Sequence, residues 1–321
     1  MPATIVKRLS TALLSLVIVS IGSAAANAEY LLVTDELLDR VVRFDITTGA
    51  SNLFATYPIP SSARALAVDG QGNVYSSTHT GHENVVKFIP QPGTDVLTAV
   101  DFTAKIGDFG PGQIQFYKGD LYVAGGSTAE VRQFNGVTGA PVRQFSVTGS
   151  SRFLAMTIAE DKLYYAELFQ DRVRKMDLTQ NPPTGGTLLL DLNRLSDPIV
   201  LTIGGNGHLF VVGQTTGNIQ EYNAETGAFV RTFVDQSVFG IPEGYAIDKG
   251  MVYDAASDTY FVSVRDTIYR FDSQGALLST YQSDLLRRGY GMVIVPEPST
   301  YALAAVGMVA LLAIKRRKAQ A

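Results

Sequence analysis

One arrangement of residues returns six times along this chain, and few folds can accommodate it. Each unit has an apolar strand, a short polar loop, and a second strand that closes on an aromatic residue or methionine before a turn. The second strands are Val41-Val42-Arg43-Phe44, Val85-Val86-Lys87-Phe88, Val131-Arg132-Gln133-Phe134, Val173-Arg174-Lys175-Met176, Ile219-Gln220-Glu221-Tyr222 and Ile268-Tyr269-Arg270-Phe271. From Phe44 to Phe271 the steps are 44, 46, 42, 46 and 49 residues. A period in this range suits a four-stranded sheet repeated around an axis.

The turns repeat with the strands. Asp45-Ile46-Thr47-Thr48-Gly49, Asn135-Gly136-Val137-Thr138-Gly139 and Asn223-Ala224-Glu225-Thr226-Gly227 share one form, and Asp272-Ser273-Gln274-Gly275 is a shorter version. A leading Asp or Asn caps such a turn, and glycine accepts the positive φ that completes it. The strand before each repeated segment is equally regular, as in Leu31-Leu32-Val33 and Leu209-Phe210-Val211. Units two to six have an earlier strand too, for example Ala65 to Val68 or Tyr245 to Asp248. The first unit lacks one, while a spare strand, residues 289–295, follows the sixth. Set as the innermost strand of unit one, it would seal the ring and leave no inner edge open. The expectation is therefore an all-β, six-bladed β-propeller of four-stranded blades occupying 29–295 as one domain. Residues 289–295 would join blade one.

Ala65-Leu66-Ala67-Val68-Asp69-Gly70-Gln71-Gly72-Asn73-Val74-Tyr75 and Pro242-Glu243-Gly244-Tyr245-Ala246-Ile247-Asp248 resemble blades of NHL-repeat and gluconolactonase-like propellers. This resemblance covers most of 30–295 and rests on common propeller grammar. The gluconolactonase likeness implies a divalent cation, calcium among the candidates, held on the axis by Glu, Asn and Asp. Glu243 stands where that family has an acidic residue before glycine. The family's Asn-Gly element is missing, its place being taken by Pro111-Gly112-Gln113, Arg152-Phe153 and Asp197-Pro198.

Both ends of the chain read as addresses. Lys7 and Arg8 precede an apolar stretch from Leu13 to Ile21, and Ala26-Asn27-Ala28 offers small residues for cleavage. Residues 1–28 are thus expected to be a signal peptide. At the other end come Pro296-Glu297-Pro298, an uncharged apolar run from Tyr301 to Ile314, and Lys315-Arg316-Arg317-Lys318. As a helix, the 14-residue run reaches about 21 Å, short of the roughly 30 Å hydrocarbon layer. The basic cluster belongs on the cytoplasmic side, which leaves the preceding residues outside. This segment resembles the PEP-CTERM sorting signal of Gram-negative bacteria. That resemblance implies transient residence in the inner membrane, processing by an exosortase-type enzyme, and an association with exopolysaccharide and biofilm at the cell surface.

Setting the six cations of the two ends aside changes the charge balance. Between 29 and 298 there remain 20 basic and 30 acidic residues, a net charge of −10. A body this acidic repels nucleic acid phosphates, so nucleic acid is an unsuitable partner. The absence of cysteine removes thiol catalysis, thiolate zinc sites and disulfides.

Loops that connect blades, and loops between second and third strands, share one face of a propeller, the default ligand site. The blade connections carry Arg64, Gln113, Arg152, Asp197, Glu243 and Arg288, and the other loops carry Asp35, Glu36, Asp39, Glu83, Glu130, Glu167, Asp171, Asn218 and Asp266. A mixed ring of this kind either holds a polar ligand or satisfies itself through ion pairs. Arg64 with Arg152 could clamp a carboxylate such as a uronic acid, with Tyr245 and Tyr290 stacking on the sugar. His79 and His82, with Glu83 beside them, have the spacing for a transition metal but need further ligands. His208 is expected on the opposite face. No Gly-x-Ser-x-Gly elbow or phosphate-binding glycine loop is present. These readings point to non-catalytic recognition or scaffolding, with extracellular polysaccharide as a candidate partner. The alternative is a cation-dependent lactonase, and an arginine at the axial point would remove it.

Overall fold

β-Branched and aromatic residues favour pleated, half-buried backbone, and in this chain they occur in runs of four to seven between Gly, Asn and Asp turns. A computed structural model describes residues 29–57, 62–79, 82–107, 110–147, 155–181, 183, 186–191, 196–242 and 249–295. Within them the strands β1 (Tyr30–Asp35), β2 (Arg40–Asp45) and β3 (Ser51–Thr56) come first. The second group is β4 (Ala63–Val68), β5 (Val74–Thr78), β6 (Val85–Ile89) and β7 (Leu97–Asp101). The third is β8 (Pro111–Tyr117), β9 (Asp120–Gly125), β10 (Glu130–Asn135) and β11 (Pro141–Ser146). β12 (Met156–Ala159), β13 (Lys162–Glu167), β14 (Arg172–Asp177) and β15 (Thr187–Asp191) follow. Next are β16 (Pro198–Ile203), β17 (Leu209–Gly213), β18 (Ile219–Tyr222) and β19 (Phe229–Val234). The last group is β20 (Lys249–Asp254), β21 (Thr259–Val264), β22 (Thr267–Asp272) and β23 (Leu277–Gln282), with β24 (Gly289–Val295) after it.

Groups three to six are separate four-stranded antiparallel sheets, each in simple up-and-down order. The first two groups share one eight-stranded sheet, in the order β24-β1-β2-β3-β7-β6-β5-β4. They are joined by a short parallel contact in which Ala55 faces Leu97 and Thr56 faces Thr98. The spare strand lies where the sequence places it. β24 pairs antiparallel with β1, setting Leu31 against Ile294 and Tyr30 against Val295. The first described strand of the last group is Lys249–Asp254, and the expected strand at 245–248 lies outside the described residues.

The inner strands touch in sequence, β24 to β4, β4 to β8, β8 to β12, β12 to β16, β16 to β20, and β20 back to β24. Apolar side chains fill the wedges between sheets. Leu31, Val33 and Phe44 pack with Phe261 and Ile268, while Phe210, Phe233 and Tyr260 form another layer. Residues Tyr30–Val295 make one compact unit.

The repeated turns serve two purposes. Asp45 Oδ1 accepts from the backbone N–H of Thr47 and Thr48 at 2.9 and 2.7 Å, and Asn135 and Asn223 cap their turns in the same way. The glycines take positive φ, 69° at Gly139 and 73° at Gly227. They also admit the neighbouring sheet: a Cβ there would meet Phe102 O at 2.0 Å or Leu189 O at 2.1 Å. Only glycine meets both requirements.

Because neighbouring strands alternate in direction, the loops collect at two ends. Loops 36–39, 168–171, 214–218 and 283–288 lie at the upper end, and turns 46–50, 136–140, 204–208, 223–228 and 273–276 lie at the lower.

Candidate functional site at the upper end

The inner strands begin at the upper end, and their first residues surround a small cavity. Arg64 enters it from β4, Gln113 from β8, and Tyr290 and Gly291 from β24. Glycine makes this spot tight. A Cβ on Gly291 would meet Arg64 O at 2.1 Å, and one on Gly250 would meet Tyr290 O at 1.9 Å. The cavity holds about 40 Å³. That suffices for a few water molecules at roughly 10–15 Å³ each, not for a sugar ring. A ligand of saccharide size must therefore sit above this opening.

Among the described residues, Glu36, Arg64 and Arg288 form ion pairs at the opening. Glu36, mostly buried, lies between two guanidiniums, 3.3 Å from Arg64 Nη2 and 3.4 Å from Arg288 Nε. Arg64 also lies over the Tyr290 ring, 5.4 Å from its centroid. Burial raises the Tyr290 phenol above its ordinary pKa, against the opposing pull of Arg64. Beneath this cluster, the buried hydroxyl of Thr34 donates to Arg64 O at 2.8 Å and accepts from Gly291 N–H at 2.7 Å. One side chain thus ties β1, β4 and β24 together. Asp35, fully buried, accepts from the N–H groups of Leu37, Leu38 and Arg287.

The residues singled out in the sequence divide accordingly. Arg64, Gln113 and Tyr290 meet at this cavity. Gln113 is committed to its neighbour, its Oε1 accepting from Met156 N–H at 3.1 Å. Asp197 holds loop structure: its N–H donates to Asp171 Oδ1 at 2.7 Å, its carbonyl accepts from Gln214 N–H at 2.8 Å, and its carboxylate takes the Thr215 hydroxyl. Arg152, Glu243 and Tyr245, like Pro296, Glu297 and Pro298, lie outside the described residues.

The histidines do not converge. His82 Nδ1 is 3.7 Å from Asp101 Oδ1, while the ring of His79 packs against Gly110. His208 lies at the lower end with Nδ1 2.7 Å from Glu221 Oε1, which itself receives Asn206 at 2.8 Å. Among the described residues, no three His, Asp or Glu side chains are grouped to hold a metal ion. The Arg64 guanidinium at the cavity also opposes a bound cation.

Two features of this region escape the sequence reading. Thr34 looks like an ordinary strand-end hydroxyl, and Glu36 is one acid among several. Only the spacing of Gln113 and Gln115, two apart on one strand face, could have flagged their amide contacts with the backbone of Met156 and Ile158.

Comparison with known proteins separates the body from the tail. Residues 295–318 match the family model of the PEP-CTERM protein-sorting motif. The chain carries a PEP-CTERM sorting signal. The body of this PEP-CTERM chain is similar to NHL and β-propeller-type structures. A crystal structure of a nidogen/laminin complex superimposes with a TM-score of 0.64 at 13% identity, covering 83% of this chain and 98% of that one. A protein of unknown function from Bacteroides caccae gives 0.63 at 13% identity, covering 84% and 100%. A streptogramin B lyase gives 0.55 at 15% identity, covering 81% and 85%. At such identities the likeness is one of fold. No curated protein matches the chain. Among the described residues no helix is long and apolar enough to cross a membrane. The apolar run 301–314 lies outside those residues.

Proposed function

We propose that this is an exported, exosortase-processed protein whose body is a six-bladed β-propeller, closed by residues 289–295, that recognises or scaffolds material in the cell envelope or exopolysaccharide matrix without catalysis. Residues 1–28 act as its signal peptide, and 301–314 form its brief membrane tether. The sorting signal implies the export and the processing enzyme.

The observation that carries the non-catalytic reading is the pairing of Glu36 with both Arg64 and Arg288 over a cavity of about 40 Å³. Charges already spent on one another, with no room for substrate between them, suit a rigid presenting surface rather than a reaction site. The favoured ligand is an acidic saccharide, with Arg288 and Arg64 available to exchange Glu36 for a ligand carboxylate. The alternative, a divalent-cation-dependent lactonase of gluconolactonase type, would need its cation beside the Arg64 guanidinium, and nothing described favours it.

A glycan array on the purified body, residues 29–298, tests the reading directly. Retention of uronate-containing glycans, weakened in Arg288→Ala, is expected. Retention of no acidic sugar would remove the favoured ligand, and calcium-dependent lactone hydrolysis would replace the whole reading with the alternative.

A further inference from the structure

The last strand fixes where the tail leaves the body. β24 runs from Gly289 at the upper end to Val295 at the lower end, where Val295 pairs with Tyr30. It is also an inner strand, lying against β4 and β20. The chain therefore emerges near the centre of the lower end rather than at the rim.

Five residues, 296–300, separate Val295 from Tyr301, where the apolar run begins. Whatever conformation they adopt, the six steps from Val295 to Tyr301 reach at most about 22 Å. A seven-residue strand is itself about 23 Å long, and three strand spacings from inner to outer edge add about 14 Å. Bringing the upper end against the bilayer would require the chain to cross the lower end and climb the side, roughly 37 Å in all. The connection is too short.

Resting on the reading of 301–314 as a membrane segment, we propose that the upper end of the body is held away from the bilayer while the protein is tethered, with the lower end or its rim nearest to it. The upper end, with Glu36, Arg64, Arg288 and Tyr290, is presented away from it. Charge at the lower end is compatible with this arrangement, its turns carrying Asp45, Asp69 and Asp272 beside the Lys118–Asp161 and Lys162–Asp177 pairs. An acidic face does not adhere to anionic headgroups, so the spacer alone holds it close, and repulsion favours departure once the tail is cut.

The absence of cysteine makes the test direct. The full-length variants Val137→Cys, Leu278→Cys and Leu37→Cys place one fluorophore each at the lower end, the rim and the upper end, on side chains 85%, 53% and 61% exposed. Each is reconstituted into vesicles of phosphatidylethanolamine and phosphatidylglycerol bearing a headgroup nitroxide quencher. Quenching several-fold weaker at position 37 than at 137 or 278 is the expected result. Equal quenching at all three, or stronger quenching at 37, in protein that floats with the vesicles overturns the orientation and leaves the tether intact. Protein that does not float removes the tether, and the orientation with it, so flotation separates the two failures.

Discussion

The side-chain amide of Gln115 is bonded to the backbone of Ile158 as though it were a strand: Nε2 donates to Ile158 O at 2.9 Å, and Oε1 accepts from Ile158 N–H at 2.8 Å. With Gln113 accepting from Met156 N–H two residues earlier, a pair of glutamines on β8 satisfies the backbone of β12 in the neighbouring sheet. Gln115→Leu keeps the bulk and strands both groups of Ile158. The expected loss is about 1–3 kcal/mol, read as a lower urea midpoint at unchanged slope. An unchanged midpoint would mean that water takes the place of the amide.

Closure of the body depends on the close approach at Gly291. A Cβ there would strike Arg64 O at 2.1 Å and Ala65 Cα at 2.7 Å. Gly291→Ala is expected to cost about 1–3 kcal/mol through overpacking. Gly70→Ala, where an added Cβ meets nothing within 4 Å, is the matched control and should stay near wild type. Equal melting temperatures for the two variants would contradict a tight seam.

The Glu221 carboxylate predicts a limb in acid. Burial by itself raises its pKa, but hydrogen bonds from Arg231, His208 and Asn206 outweigh burial and hold it below the ordinary carboxylate range. A pKa depressed by folding contributes stability that is complete above the unfolded value of about 4.3 and is lost as pH falls through the folded value. Stability from this group should therefore be flat from neutral pH down to about pH 5 and decline below pH 4. In Glu221→Gln that share of the decline should vanish, visible as a shallower dependence of the urea midpoint between neutral and acid pH. A parallel decline in wild type and variant would show that the group does not contribute.

Arg64 at the cavity predicts indifference to divalent ions. Chelator or millimolar calcium is expected to leave the Tm of the body unchanged, whereas a bound ion would raise it by mass action. A rise of several degrees with calcium would restore a cation site involving the residues beyond those described.

Much of the fold was legible because its causes are local. The apolar run Leu31-Leu32-Val33 and the Asn-x-x-Thr-Gly turns depend on neighbours one to four residues away, and those positions formed the strands and caps that they indicate. The pairing of 289–295 with β1 was legible for a different reason, since a missing strand at one end and a surplus one at the other fit together. The inner strand at 249–254 was missed because Gly250 interrupts its apolar pattern where another backbone comes close.

The candidate site was less legible. Arg64, Gln113 and Tyr290 were placed at one opening by counting strands, but nothing in the chain indicated that Glu36 would lie between two arginines or that the opening would close to about 40 Å³. Strand, turn and sorting motif follow from residues adjacent in the chain, where covalent geometry limits the choices. The partners of Thr34, Glu36 and Gln115 lie 28 to 257 residues away, and their contacts are decided at the tenth-of-an-ångström level by how the sheets pack.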